Sequence, residues 1–369
     1  RHQSLRLLGL ASKVLVMDEI HAYDAYTGHL LERLLESHSR QGGSAVLLTA
    51  TLPIEQRRRL VAAWRRGRGQ TDKESPAETA FPLLTHVSDE RIDEVPLESM
   101  RGSGRCLPVD FLNSPDQAIA EICDTICRGQ CICWIRNTVD DAIEARHKLI
   151  ATGTPPDLIT LFHARFTMAD RQRIEEEVMS RFGKNSTAGQ RNGRVLIATQ
   201  VVEQSLDVDF DAMISDIAPV DLLIQRAGRL HRHPRDAEGN RVPAHDQRPP
   251  PRMKVLAPFW CERPDEHWVR QLLPGTAAVY DDIACLWRTV RVLREFGGIN
   301  LPDRSRDLIE GVYSRDLDDL PETLKAAALA CEGRQRGKTG IARFNALKLG
   351  KGYSLDSADG WSDDEEVGT

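Results

Sequence analysis

No apolar run in this chain approaches the roughly 20 residues that a helix needs to cross a bilayer. Val14–Met17 is too short for a secretory core. The chain opens on Arg1 rather than Met, so we expect a fragment and give absences near the start no weight. An overall basic signature is also missing, since the net charge is −6, and any affinity for a polyanion must come from a local groove rather than the whole surface. A disulfide framework is not indicated either. Eight cysteines in a chain of 369 residues are too sparse for a stapled secreted scaffold, and a cytoplasmic compartment is the default. Internal repeats are lacking.

What is present is an ordinary globular composition, 41% hydrophobic and 28% charged, with length for about two to three domains. Cys123, Cys127, Cys131 and Cys133 crowd together. The first two are at helical spacing and the last two alternate along a strand-like run before Trp134, so they read as small buried hydrophobes rather than zinc ligands. Arg57, Arg58, Arg59, Arg65, Arg66 and Arg68 fall within twelve positions and read as a solvated helix face.

A unit recurs along the chain: a short apolar run, a polar motif, then a helix-period segment. Val14–Met17 leads into Asp18-Glu19-Ile20-His21, and residues 29–39 follow with Leu30, Leu31, Leu34 and Leu35 on one face. Ala45–Leu48 leads into Thr49-Ala50-Thr51. Cys131–Ile135 leads into Arg136-Asn137-Thr138, Leu158–Phe162 into His163-Ala164-Arg165, Val195–Ala198 into Thr199-Gln200, and Ala212–Ser215 into Asp216. Short β-rich runs alternating with helices predict an α/β fold with parallel strands buried on both faces. Ligands of such sheets bind at the carboxyl ends of the strands, where each of these polar motifs falls. The boundaries predicted are a first domain over 1–100, a second over 101–235, a Pro-rich linker or loop over 236–252, and an accessory, mostly helical region over 253–369 with an acidic tail.

The motifs carry a specific chemistry. Adjacent acids at a strand end meet two needs of nucleotide hydrolysis: one carboxylate holds the Mg²⁺ and its neighbour orients the attacking water. Asp18 and Glu19 fit. The small hydroxyls Thr49 and Thr51 at the next strand end, and Thr199 further on, suit hydrogen bonds to a nucleic-acid backbone. Asp207 suits a ribose hydroxyl. The run Gln225-Arg226-Ala227-Gly228-Arg229-Leu230-His231-Arg232 is the most specific element. Arginines three apart lie on one helical face, which lets Arg229 and Arg232 reach one phosphate through bidentate forks. A glycine-rich look-alike at 333–339 has three residues between its glycines instead of four and reads as a basic loop. No true Gly-x4-Gly-Lys-Ser/Thr loop occurs, so the nucleotide cradle is expected to be missing from this chain. His245-Asp246 lies in a Pro-rich stretch without further His or Asp ligands nearby and is not read as a metal site.

Together these residues resemble the CRISPR-associated helicase–nuclease family that executes interference in type I systems, a superfamily 2 DExH helicase. The resemblance rests on Asp18-Glu19-Ile20-His21-Ala22-Tyr23-Asp24, on Thr49-Ala50-Thr51-Leu52-Pro53, and on the run from Ala198-Thr199-Gln200 through Asp207 to Leu230-His231-Arg232-His233. His163-Ala164-Arg165-Phe166 with Asp170-Arg171, and Tyr280-Asp281-Asp282 with Leu286-Trp287-Arg288-Thr289, also match. It covers about positions 10–315. It implies tandem RecA-like domains, the first incomplete, and an ATP- and Mg²⁺-dependent motor that moves 3′ to 5′ on single-stranded DNA. It further implies recruitment by a crRNA-guided surveillance complex and delivery of the strand to an HD nuclease domain. By the family pattern Asp18 and Glu19 serve Mg²⁺ and water, and Gln225, Arg229 and Arg232 the γ-phosphate. His21 and Asp207 touch the nucleotide, and Thr49, Thr51 and Thr199 couple its state to DNA. The HD domain and the phosphate loop are not in the sequence, so the chain alone is expected to turn over ATP poorly or not at all.

Overall fold

The computed structural model describes residues 9–20, 23–70, 75–98, 104–203, 206–314 and 316–346. It divides into two compact units, Arg1–Glu98 with Glu332–Thr369, and Ser99–Cys331.

In the first unit β1 (Val14–Met17) and β2 (Ser44–Leu47) pair in parallel, with Met17 opposite Leu47. Between them runs α1 (Ala25–Arg40), and α2 (Ile54–Gly67) follows. Asp24 caps α1 by accepting from the Thr27 N–H at 2.8 Å, which supplies a partner to one of the unbonded amides of the first turn. Leu31 and Leu35, one helical turn apart, and Leu60 of α2 bury against Ile20, with Met17, Ala45 and Leu47 packed beside them. Strand side chains alternate between faces, so Val14 and Val16 point the other way and are 59% and 65% exposed. The expectation of strands buried on both faces therefore fails in this unit: among the described residues the two helices cover one face only. An antiparallel hairpin of β3 (Leu83–Val87) and β4 (Ile92–Pro96) completes it.

The second unit is built on a seven-stranded sheet. Its strands are β5 (Arg105–Leu112), β6 (Ile132–Ile135), β7 (Ile159–Phe162), β8 (Val195–Ala198), β9 (Ala212–Asp216), β10 (Met253–Leu256) and β11 (Gly298–Leu301), ordered β11-β5-β10-β9-β6-β8-β7. All pair in parallel except β11, antiparallel at the edge. Every residue of β6 and β8 is buried, as a parallel sheet covered on both faces requires. The covering helices include α3 (Pro115–Cys127), α4 (Val139–Ala151), α5 (Met168–Phe182), α6 (Ala188–Arg191) and α7 (Val220–Ala227). Then come α8 (Pro274–Val279), α9 (Ile283–Glu295) and α10 (Ser305–Tyr313). This is the mixed α/β, RecA-like architecture.

Two expectations need correction. Residues 236–252 do not link separate domains, and 253–331 is not an accessory region, because β10 sits between β5 and β9 in the same sheet and α9 buries Leu286, Val290 and Leu293 in the same core. The prolines obscured a return into the sheet. The look-alike at 333–339 is not a loop. It lies inside α11 (Glu322–Asn345), where the Thr339 hydroxyl donates to the Gln335 carbonyl at 3.0 Å.

Candidate functional site

In the first unit the paired strands deliver two motifs side by side. The Leu48 N–H donates to Met17 O at 2.8 Å and Ile20 N–H to Leu48 O at 3.4 Å, so Asp18-Glu19 and Thr49-Thr51 emerge together at the carboxyl end. Both acids are exposed, and the Glu19 N–H donates to Asp18 Oδ1 at 2.9 Å. Glu19 takes φ +53°, a left-handed conformation costing a non-glycine residue about 1–2 kcal/mol. Strain of this kind persists where the surroundings over-determine it, often at functional positions. Two adjacent carboxylates offer only oxygen donors, the set a hard cation such as Mg²⁺ takes. The Thr49 hydroxyl donates to Thr51 O at 2.7 Å, while the Thr51 hydroxyl is buried without a hydrogen-bond partner among the described residues. His21 lies outside the described residues.

The arginine cluster at 57–68 is a solvated face only in part, with Arg59, Arg66 and Arg68 exposed. Arg57 and Arg65 are buried. Arg57 meets Glu94 of β4 at 3.3 Å, Arg59 meets Glu32 at 3.7 Å and Arg66 meets Glu36 at 3.4 Å. These cations hold α2 to α1 and to the hairpin.

In the second unit the predicted residues gather at the carboxyl end of β8 and around α7. Thr199 is buried and donates its N–H to Phe162 O at 3.1 Å. A 3-10 turn, Gln200–Glu203, follows. Gln225 is half-buried in the last turn of α7. Helix α7 ends at Ala227 with Gly228 as its cap, so Arg229 and Arg232 do not share a helical face, as the spacing had suggested. The physical reason is Leu230: it is fully buried and bridges Phe210, which pulls the chain out of helical register, and His231 then takes φ +48°. The two arginines are instead seated on Glu203 and Asp207. Arg229 Nη2 donates to Glu203 O at 2.7 Å, and Arg232 Nε to Asp207 Oδ1 at 2.6 Å. His233 Nε2 lies 2.9 Å from the same Asp207 oxygen. Partial burial pushes the Asp207 carboxyl up, but the bonds from Arg232 and His233 outweigh it and hold the group below the ordinary carboxylate range.

Several residues that the motifs did not flag hold this region together. Asp209, wholly excluded from solvent, accepts from the Arg232 N–H at 2.7 Å, from Arg235 Nε at 2.5 Å and from Arg248 Nη1 at 3.1 Å. Arg248 also reaches Asp211 at 2.7 Å. The Pro-rich segment is thus an ionic strap under the arginine turn. Burial, with Arg248 beside it, pulls the His231 imidazole down to about 4. Arg226, fully buried, donates to Glu203 Oε1 at 2.7 Å and Ser215 Oγ at 2.7 Å. Its signal was legible: it stands three residues after Leu223, inside the apolar stripe of α7. Cys131 and Cys133 are buried in the sheet, whereas Cys127 is exposed.

Residues 128–235 match the family model described as CRISPR-associated nuclease/helicase Cas3, C-terminal. The CRISPR-associated endonuclease/helicase Cas3 of Escherichia coli strain K12 is 35% identical over 380 residues, covering 97% of this chain and 39% of the relative. A crystal structure of T. fusca Cas3 with ATP superimposes with a TM-score of 0.80 at 31% identity, over 94% of this chain and 40% of that one. A chain in a CRISPR RNA-guided surveillance complex in a pre-nicking state gives 0.77 at 32% identity, over 94% and 42%. The chain spans about two fifths of the length of the E. coli relative. With these likenesses running through both units, the chain belongs to the CRISPR-associated Cas3 helicase family.

Proposed function

We propose that this chain carries motor elements of an ATP-dependent, 3′-to-5′ single-stranded DNA translocase and helicase of type I CRISPR interference. In this reading it is recruited by a crRNA-guided surveillance complex in the cytoplasm and passes the strand to an HD nuclease domain. The observation that carries the reading is the seating of Arg229 on Glu203 and of Arg232 on Asp207 at the carboxyl edge of a RecA-like sheet. There two guanidinium forks share one short segment with Thr199 and Asp207. The relatives support it by name as nuclease/helicases, and one solved relative carries ATP.

The roles follow from the chemistry. Gln225, Arg229 and Arg232 bind the γ-phosphate, and the arginines neutralise charge that builds on its oxygens as the bond breaks. Asp18 and Glu19 hold Mg²⁺ and orient the attacking water, with His21 and Asp207 toward the rest of the nucleotide. Bound Mg²⁺ supplies charge neutralisation across the phosphate oxygens. Thr49, Thr51 and Thr199 hold the DNA backbone and relay the nucleotide state.

ATP turnover by the full-length protein is the test. It should depend on single-stranded DNA and fall on the order of 100-fold in Asp18→Asn. Turnover that ignores DNA, or an Asp18→Asn variant as fast as wild type, contradicts the reading.

A further inference from the structure

Glu203 is gripped at both ends. Its carboxylate accepts from Arg226 Nε at 2.7 Å, and its carbonyl accepts from Arg229 Nη2 at 2.7 Å. Arg226 reaches onward to two other segments. Its Nη1 donates to Ser215 Oγ at 2.7 Å and Asp216 O at 3.2 Å, and its Nη2 to Asn137 Oδ1 at 3.2 Å. Gln200, at the other end of the same 3-10 turn, donates from Nε2 to Asn137 O at 3.0 Å. The turn after Thr199 is therefore clamped between the loop that follows β6 and the arginine segment that follows α7.

Placing an arginine wholly out of water is costly unless its donors are met, and an apolar side chain fills such a site at lower cost. Here the donors are spent on three different segments of the chain, which fixes their mutual register more than it adds stability. We infer that Glu203 is a positioning residue: through it the Thr199–Gln200 turn and the Arg229 segment move as one body. DNA bound at the turn then sets where the Arg229 guanidinium stands. This inference rests on the motor reading above and adds the residue that couples its two halves within the second unit.

The experiment is ATP turnover by the full-length protein, wild type and Glu203→Gln, titrated with a single-stranded oligonucleotide. The substitution keeps the size and an acceptor oxygen for Arg226 and removes the charge. Losing a charge-assisted bond should raise the DNA concentration for half-maximal stimulation about tenfold and lower kcat about tenfold, with KM for ATP little changed. Gln200→Ala, which breaks the other end of the clamp, should raise half-saturation by a few-fold and covers the case in which Glu203→Gln folds poorly. A purely structural role would lower kcat and the melting temperature at unchanged half-saturation, and that result in both variants overturns the inference alone. A wild-type protein indifferent to DNA overturns it together with the motor reading.

Discussion

On α2 the side chains of Arg58, Arg59 and Arg66 are 40%, 54% and 46% exposed and meet Glu55, Glu32 and Glu36, whereas Arg226 and Arg235 of the second unit have no exposure at all. Both sets look alike in sequence, as dense runs of arginine. The first set makes contacts that water already half-satisfies, so each is worth little. The second set stands where a missing partner leaves a charge without solvent, so each contact is obligatory. Arg57 and Arg65 show that the division is one of burial rather than of unit. A basic cluster thus says nothing about its role until the carboxylates around it are known.

The comparison breaks most readily at Asp209. Removing its carboxylate in Asp209→Ala takes the carboxylate partner from the buried Arg235 and one of three from Arg248, and should cost about 3–5 kcal/mol in urea unfolding. A loss comparable to a surface pair would show that the strap is dispensable. His231 gives a smaller, pH-dependent effect. Its folded value is about 4 against an ordinary 6.5, so between those values the unfolded chain binds a proton that the folded one excludes. Stability therefore rises with pH across that window and is lost as pH falls below about 6.5. The loss should be shallower in His231→Asn, which tolerates the left-handed backbone; parallel pH profiles would contradict a neutral buried imidazole. The smallest effect is expected from Arg66→Ala on α2. It should shift stability by less than about 1 kcal/mol and fade in high salt, and a larger, salt-independent loss would blur the contrast.

Much of this was legible beforehand where local pattern and chemistry agree. The apolar runs of β6, β8 and β9 and the acid pair after β1 announced themselves, because a buried parallel strand and a carboxyl-end motif both leave short-range marks. What stayed hidden depends on distant partners. Prolines near β10 masked its place between β5 and β9. The spacing of Arg229 and Arg232 suggested a continuing helix, which the burial of Leu230 overrode. Asp209 sits in a run of alternating acids, Asp207, Asp209 and Asp211, and nothing local tells which one meets the guanidinium groups of Arg191, Arg235 and Arg248. Glu203 carried no signal of its own, since its importance lies in what grips it.

Arg229 must serve the nucleotide if the chain carries motor elements. DNA-stimulated ATP turnover by the full-length protein carrying Arg229→Ala, with its melting temperature recorded alongside, addresses this directly. Turnover should drop on the order of 10³-fold while the protein stays folded; a folded variant that hydrolyses ATP at the wild-type rate would contradict it.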